Sequence, residues 1–69
     1  MANVVVVIYR NRRNSNKYLE VKYYKCGHQM VRQYLEWSNG VRNYTGDGKF
    51  HRWSKKALLS LLNDYYKVV

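Results

Sequence analysis

Three runs of alternating apolar and polar residues, separated by turn signals, restrict this chain more than any other feature of its sequence. In KYLEVKYYK, residues 17–25, Leu19, Val21 and Tyr23 fall on one face of an extended strand, with Tyr18, Glu20, Lys22 and Tyr24 on the other. HQMVRQYLEWS, residues 28–38, repeats the pattern, with Val31, Leu35 and Trp37 on one face (joined by Gln33) and Met30, Arg32, Tyr34 and Glu36 on the other. Cys26-Gly27 separates these runs, and Asn39-Gly40 separates the second from VRNYT. Asn-Gly is the strongest short hairpin signal because a type I′ turn requires positive φ at both central residues. Alternation joined by tight turns predicts an antiparallel meander with one face on a core and the other available to solvent or a ligand.

The flanking segments complete the expected fold. Asn3 to Arg10 is rich in β-branched residues and reads as a first strand, followed by the turn cluster NRRNSN. Gly46-Asp47-Gly48 reads as a loop, and KFHRW leads towards a helix expected from Ser54 to about Tyr66. Ser54 suits the N-cap, and Trp53 can pack on Leu58 as a hydrophobic staple. Ala57, Leu58, Leu61, Leu62 and Tyr65 form the apolar stripe, and Lys56, Ser60, Asn63 and Lys67 the wet side. The expectation is a single α+β domain over residues 1–69, a three- or four-stranded antiparallel meander sheet packed on one C-terminal helix. A chain this short buries only about 60% of its unfolded surface. Its 17 Leu, Ile, Val and Phe residues, with eight Tyr and two Trp, still suffice for a thin core.

Thirteen Lys and Arg against four Asp and Glu give a net charge of +9. So strong a positive potential on so small a surface suits a polyanion, and basic residues interleaved with aromatics put nucleic acid ahead of a membrane or an acidic protein. Three surfaces are candidates. Lys55 and Lys56 sit in the first turn of the expected helix, where the dipole disfavours cations by about 0.3 to 1 kcal/mol each; a phosphate held on the helix N-terminus would reverse that cost. The plain alternative is two solvated surface lysines. The polar sheet face gathers Tyr18, Lys22, Tyr24, Arg32, Tyr34, Arg42 and Tyr44, in which cations suit phosphates, tyrosines suit bases, and Arg32 or Arg42 suits guanine. Cross-strand tyrosine pairs are equally good sheet formers. Arg10, Arg12 and Arg13, with Lys17, make the third candidate, a finger over a phosphate backbone or simply a solvated hairpin tip.

Catalysis finds little support. Cys26 and His28 are two apart in a turn with no third orienting group, and Glu20, Glu36 and Asp47 form no evident acid and base pair. Cys26, His28 and His51 lack paired metal-ligand spacing, and GDGK lacks the P-loop spacing, so no metal or cofactor is expected. One cysteine excludes an internal disulfide and fits a reducing compartment. VVVVIY is too short to span a membrane and lacks the features of a signal peptide, so a cytoplasmic location is expected.

Residues 27–62 place Gly-His before a strand, then the Asn-Gly hairpin, Gly-Asp-Gly and Ser-Lys-Lys-Ala. In this order they resemble the C-terminal half of a double-stranded-RNA-binding domain, which implies phosphate contacts at Ser54, Lys55 and Lys56. The order of elements over the whole chain resembles the small AP2-like and integrase arm-binding domains. That resemblance implies duplex DNA on the exposed sheet face, on the side of Lys22, Arg32 and Arg42. The expected activity is therefore non-catalytic nucleic-acid binding, with DNA ahead of RNA. The rival expectation is a basic interaction module, of mobile-element or viral type, docking on an acidic protein. Because VVVVI is apolar on both strand faces, it also suits pairing of two copies into a homodimer.

Overall fold

Two three-residue turns set the register of the central strands. The computed structural model describes residues 3–68. It places β1 at Val4–Asn11, β2 at Lys17–Tyr24, β3 at Gln29–Glu36, β4 at Arg42–Tyr44, β5 at His51–Arg52, α1 at Lys55–Leu62 and β6 at Tyr65–Lys67. Between β2 and β3, Gly27 N–H donates to Tyr24 O at 3.0 Å, and Tyr24 N–H to His28 O at 2.8 Å. Between β3 and β4, Gly40 N–H donates to Trp37 O and Trp37 N–H to Val41 O, both at 2.9 Å. In each turn the third loop residue is a glycine in the left-handed region, Gly27 at φ 97° and Gly40 at φ 84°. This corrects the expected two-residue type I′ turn, since among the described residues no non-glycine residue has positive φ, Asn39 included. The turn is of the longer kind, in which a glycine bulge follows the bend.

The sheet is antiparallel, with strand order β4-β3-β2-β1-β6, and β5 also pairs with β3. It is a meander with one helix, as the alternation requires, but it has six strands where three or four were expected. The extra strands are β5 and β6, both in the second half of the chain. β4 and β5 lie end to end along β3, interrupted by the loop that carries Gly46 and Gly48. The expected helix to Tyr66 stops at Leu62 instead, its last turn tightened by bonds from Asn63 N–H to Ser60 O and Asp64 N–H to Leu61 O. Tyr65, Tyr66 and Lys67 then pair with Asn11, Arg10 and Tyr9. Aromatic residues next to an unpaired strand edge gain more from a ladder than from another helical turn.

Pairing fixes the two faces. Val7 opposes Val21, and Val21 also opposes Val31, so these turn to the side covered by α1. The core is Leu19, Val21, Val31, Leu58 and Tyr65, with Tyr9, Tyr23, Trp53, Leu61 and Leu62 packed against it. Trp53 therefore joins Leu58 as the staple geometry predicts, while Ser54 Oγ accepts from Ala57 N–H at 3.2 Å. Ala57, assigned to the stripe, is exposed. Trp37, assigned to the apolar face, lies beyond the end of β3 and is exposed.

Candidate nucleic-acid interface

On the face away from α1, strand pairing sets Tyr18 opposite Tyr34, Glu20 opposite Arg32, Lys22 opposite Met30, Tyr34 opposite Tyr44, and Glu36 opposite Arg42. The parity read from the sequence thus brings Tyr18, Lys22, Tyr24, Arg32, Tyr34, Arg42 and Tyr44 onto one surface. The side chains of that surface are largely committed to one another. Tyr18 and Tyr34 stack with centroids 5.2 Å apart and planes 8° from parallel. Arg10 lies 5.1 Å from the Tyr18 ring and donates from its guanidinium to the Tyr18 hydroxyl, and Arg42 lies 4.6 Å from the Tyr34 ring. Tyr34 is 2% exposed and Tyr18 8%, so neither ring can stack on a base. Burial pushes the Tyr34 phenol above its ordinary range.

Arg32 is held more firmly still. Its Nε donates to Glu20 Oε1 at 2.8 Å, its Nη1 to Gly48 O at 3.3 Å, and its guanidinium carbon is 4.3 Å from the centroids of both Tyr44 and Phe50. Lys22 Nζ lies 4.2 Å from the same Phe50 ring. Arg42 pairs with Glu36 at 3.4 Å. The two arginines expected to read guanine are therefore the two that carboxylates neutralise. The sequence reading overlooked Phe50, which organises both Lys22 and Arg32. Its position depends on the pairing of β5 with β3, which a two-residue strand after a glycine-rich loop does not announce.

The remaining expected residues lie at opposite ends of the sheet. Arg12 N–H donates to Asp64 O at 2.7 Å, which sets the end of α1 beside the β1–β2 loop; Trp53 N–H donates to Gln29 O at 3.2 Å, which sets its start beside the β2–β3 turn. Arg10, Arg12, Arg13 and Lys17 thus gather at one end, with Arg12 5.7 Å from the Tyr66 ring. Lys55 and Lys56, both exposed, sit at the other. An eight-residue strand separates them, about 25 Å. The structure does not bring the ten expected residues into one patch: Lys22, Tyr24, Arg32, Tyr34 and Arg42 lie on the face, and the others at its two ends.

The loop beneath Arg10 to Arg13 is shaped by asparagine side chains. Asn11 Oδ1 accepts from the N–H groups of Arg13 and Asn14, both at 2.9 Å, and Asn14 Oδ1 from Asn16 N–H at 3.0 Å. Such local bonds order a tip without drawing on the basic side chains. Elsewhere Asp47 accepts from Lys49 N–H at 2.9 Å and faces His51 Nε2 at 3.0 Å, and these hold its carboxyl below the ordinary range.

Among the described residues, two of the thirteen Lys and Arg side chains have a carboxylate within ion-pair distance, which leaves eleven without. Among them, too, no group of three or more His, Cys, Asp or Glu is arranged to hold a metal, and no helix is long and apolar enough to cross a membrane. Compared with known proteins, the chain matches no family model, no curated protein and no solved structure.

Proposed function

We propose that this chain is a non-catalytic nucleic-acid-binding protein that grips the phosphate backbone of duplex DNA. The observation that carries the reading is the eleven basic side chains without a carboxylate partner among the described residues, Arg10, Arg12, Arg13 and Lys17 at a single loop end being four of them. Neutralising phosphates releases condensed counterions, and this supplies affinity without base contacts. Base reading through the sheet face is not part of the proposal. Five strands abreast span about 19 Å between outer axes, wider than the roughly 12 Å major groove. Within this reading DNA stands ahead of RNA, because RNA recognition favours unstacked bases on aromatic platforms and the central tyrosines here are already covered. A duplex lying along the strand direction would span the arginine loop and the Lys55 and Lys56 end within about seven base pairs.

The test is anisotropy of a labelled duplex. Arg12→Ala with Arg13→Ala is expected to weaken binding about tenfold, by removing two phosphate contacts. Unchanged affinity would remove the loop from the interface. A second reading, a basic module that docks on an acidic protein, is favoured by one feature, the Val4–Val7 stretch of the β1 edge, which no strand among the described residues covers beyond β6.

A further inference from the structure

β6 pairs only with Tyr9–Asn11 of β1, with one more bond from Val68 N–H to Ile8 O at 2.9 Å. The Ile8 carbonyl and the Arg12 N–H both point towards β6, whereas the Asn3 carbonyl accepts from Lys25 N–H on the β2 side. Backbone groups alternate along a strand, so Val4 and Val6 turn their N–H and C=O groups to the side where β6 has already ended. Among the described residues, no backbone bond reaches them there. Such a row of unpaired groups is a template for another strand.

The side chains around this edge specify its occupant. Val5 is 63% exposed and Val6 44%. A depression of about 320 Å³ beside them is lined by Val4, Val5, Tyr23, Tyr24 and Lys25. Tyr23 and Tyr24 also line a second depression, of about 350 Å³, with Leu59 and Lys55. The result is apolar ground on the Val5 and Tyr23 side, with Lys25 and Lys55 at its margin. Lys22 is the cross-strand neighbour of Val6 on the opposite face.

We propose that the edge at Val4–Val7 accepts an extended segment of a partner protein by strand addition, and that this segment alternates apolar with acidic side chains. The proposal rests on the second reading above. The apolar side chains of the segment lie with Val5 and Tyr23, and its carboxylates lie on the Val6 and Lys22 side. A second copy of this chain fits less well, because it would bring +9 against +9.

The experiment uses two labelled peptides of about eight residues, an ordinary strand length, one alternating Val with Glu and one alternating Val with Lys. Binding is read by anisotropy, and the contact by amide hydrogen exchange. The Val/Glu peptide is expected to bind at least about tenfold more tightly and to slow exchange at the Val4 and Val6 amides. Val6→Pro removes an N–H that points away from β2, so the fold tolerates it. It is expected to abolish peptide binding while duplex-DNA affinity stays at the wild-type value, which keeps failure of this proposal separate from failure of the nucleic-acid reading. If Val6→Pro does not fold, Val4→Pro at the start of the strand takes its place. Equal binding of both peptides, unprotected Val4 and Val6 amides, or self-association that protects those amides without peptide would each overturn the proposal.

Discussion

Arg32 Nε lies 2.8 Å from Glu20 Oε1 across the β2–β3 pair, at the centre of the outer sheet face. Arg32 also donates to Gly48 O and lies 4.3 Å from the Tyr44 and Phe50 ring centroids. A guanidinium so surrounded fastens the loop to the sheet. Arg32→Ala would leave Glu20, with a side chain 12% exposed, without its counterion. The expected loss is about 2 kcal/mol, below the roughly 3 to 5 for fully buried pairs because Arg32 keeps some contact with water. Arg32→Lys retains the charge but not the planar fork, and is expected to lose about half as much. Urea unfolding of the three proteins measures both values; full stability in Arg32→Ala would show that the residue has no structural role.

Tyr65 has the opposite problem. Its ring belongs to the core at 3% exposure, yet its hydroxyl has no hydrogen-bond partner among the described residues. A buried unpaired hydroxyl costs about 1 to 3 kcal/mol. Tyr65→Phe keeps the ring and is expected to stabilise the fold by about 1 kcal/mol, raising the melting temperature by about 4 to 8 °C. Calorimetry decides it, and a lower melting temperature would mean that the hydroxyl is satisfied.

The Asp47 turn predicts an acid-side signature. Lys49 N–H, then His51, lower the Asp47 pKa in the fold. A depressed carboxyl contributes stability that is present above its unfolded pKa and is lost as pH falls through the folded value. The difference in melting temperature between the parent and Asp47→Asn is therefore expected to be constant at neutral pH and to shrink below about pH 4. A difference that grows on acidification would reverse the assigned shift.

Lys55 and Lys56 open α1 with no acidic residue in its first turn. Lys55→Ala with Lys56→Ala is expected to leave the melting temperature equal or higher, since each lysine opposes the dipole by about 0.3 to 1 kcal/mol. Duplex affinity is expected to fall, with a shallower salt dependence. A marked loss of stability would assign the two lysines a structural role instead.

The parts of the fold that local pattern controls were legible in the sequence. Alternation in 17–25 and 28–38 placed Leu19, Val21 and Val31 inward and Tyr18, Arg32 and Tyr34 outward, as the strand register has them. Ser54 and Trp53 marked the start of the helix for equally local reasons. Its end was not legible, because Tyr65–Lys67 leaves the helix for a partner more than fifty residues earlier in the chain. The role of Arg32 was hidden for the same reason. Its surroundings come from Glu20, Tyr44, Gly48 and Phe50, which only the folded sheet assembles. Composition pointed to a polyanion but could not reveal that two of the four carboxylates, Glu20 and Glu36, settle on the sheet face, and that among the described residues none lies within ion-pair distance of the loop arginines.

Phosphate contact by those arginines and lysines is tested most directly by titrating salt against a labelled DNA duplex. With about five phosphates neutralised, log affinity is expected to fall linearly with log salt at a slope near −4.5. A slope close to zero would contradict the account, because binding that ignores salt cannot be made of unpaired cations on a phosphate backbone.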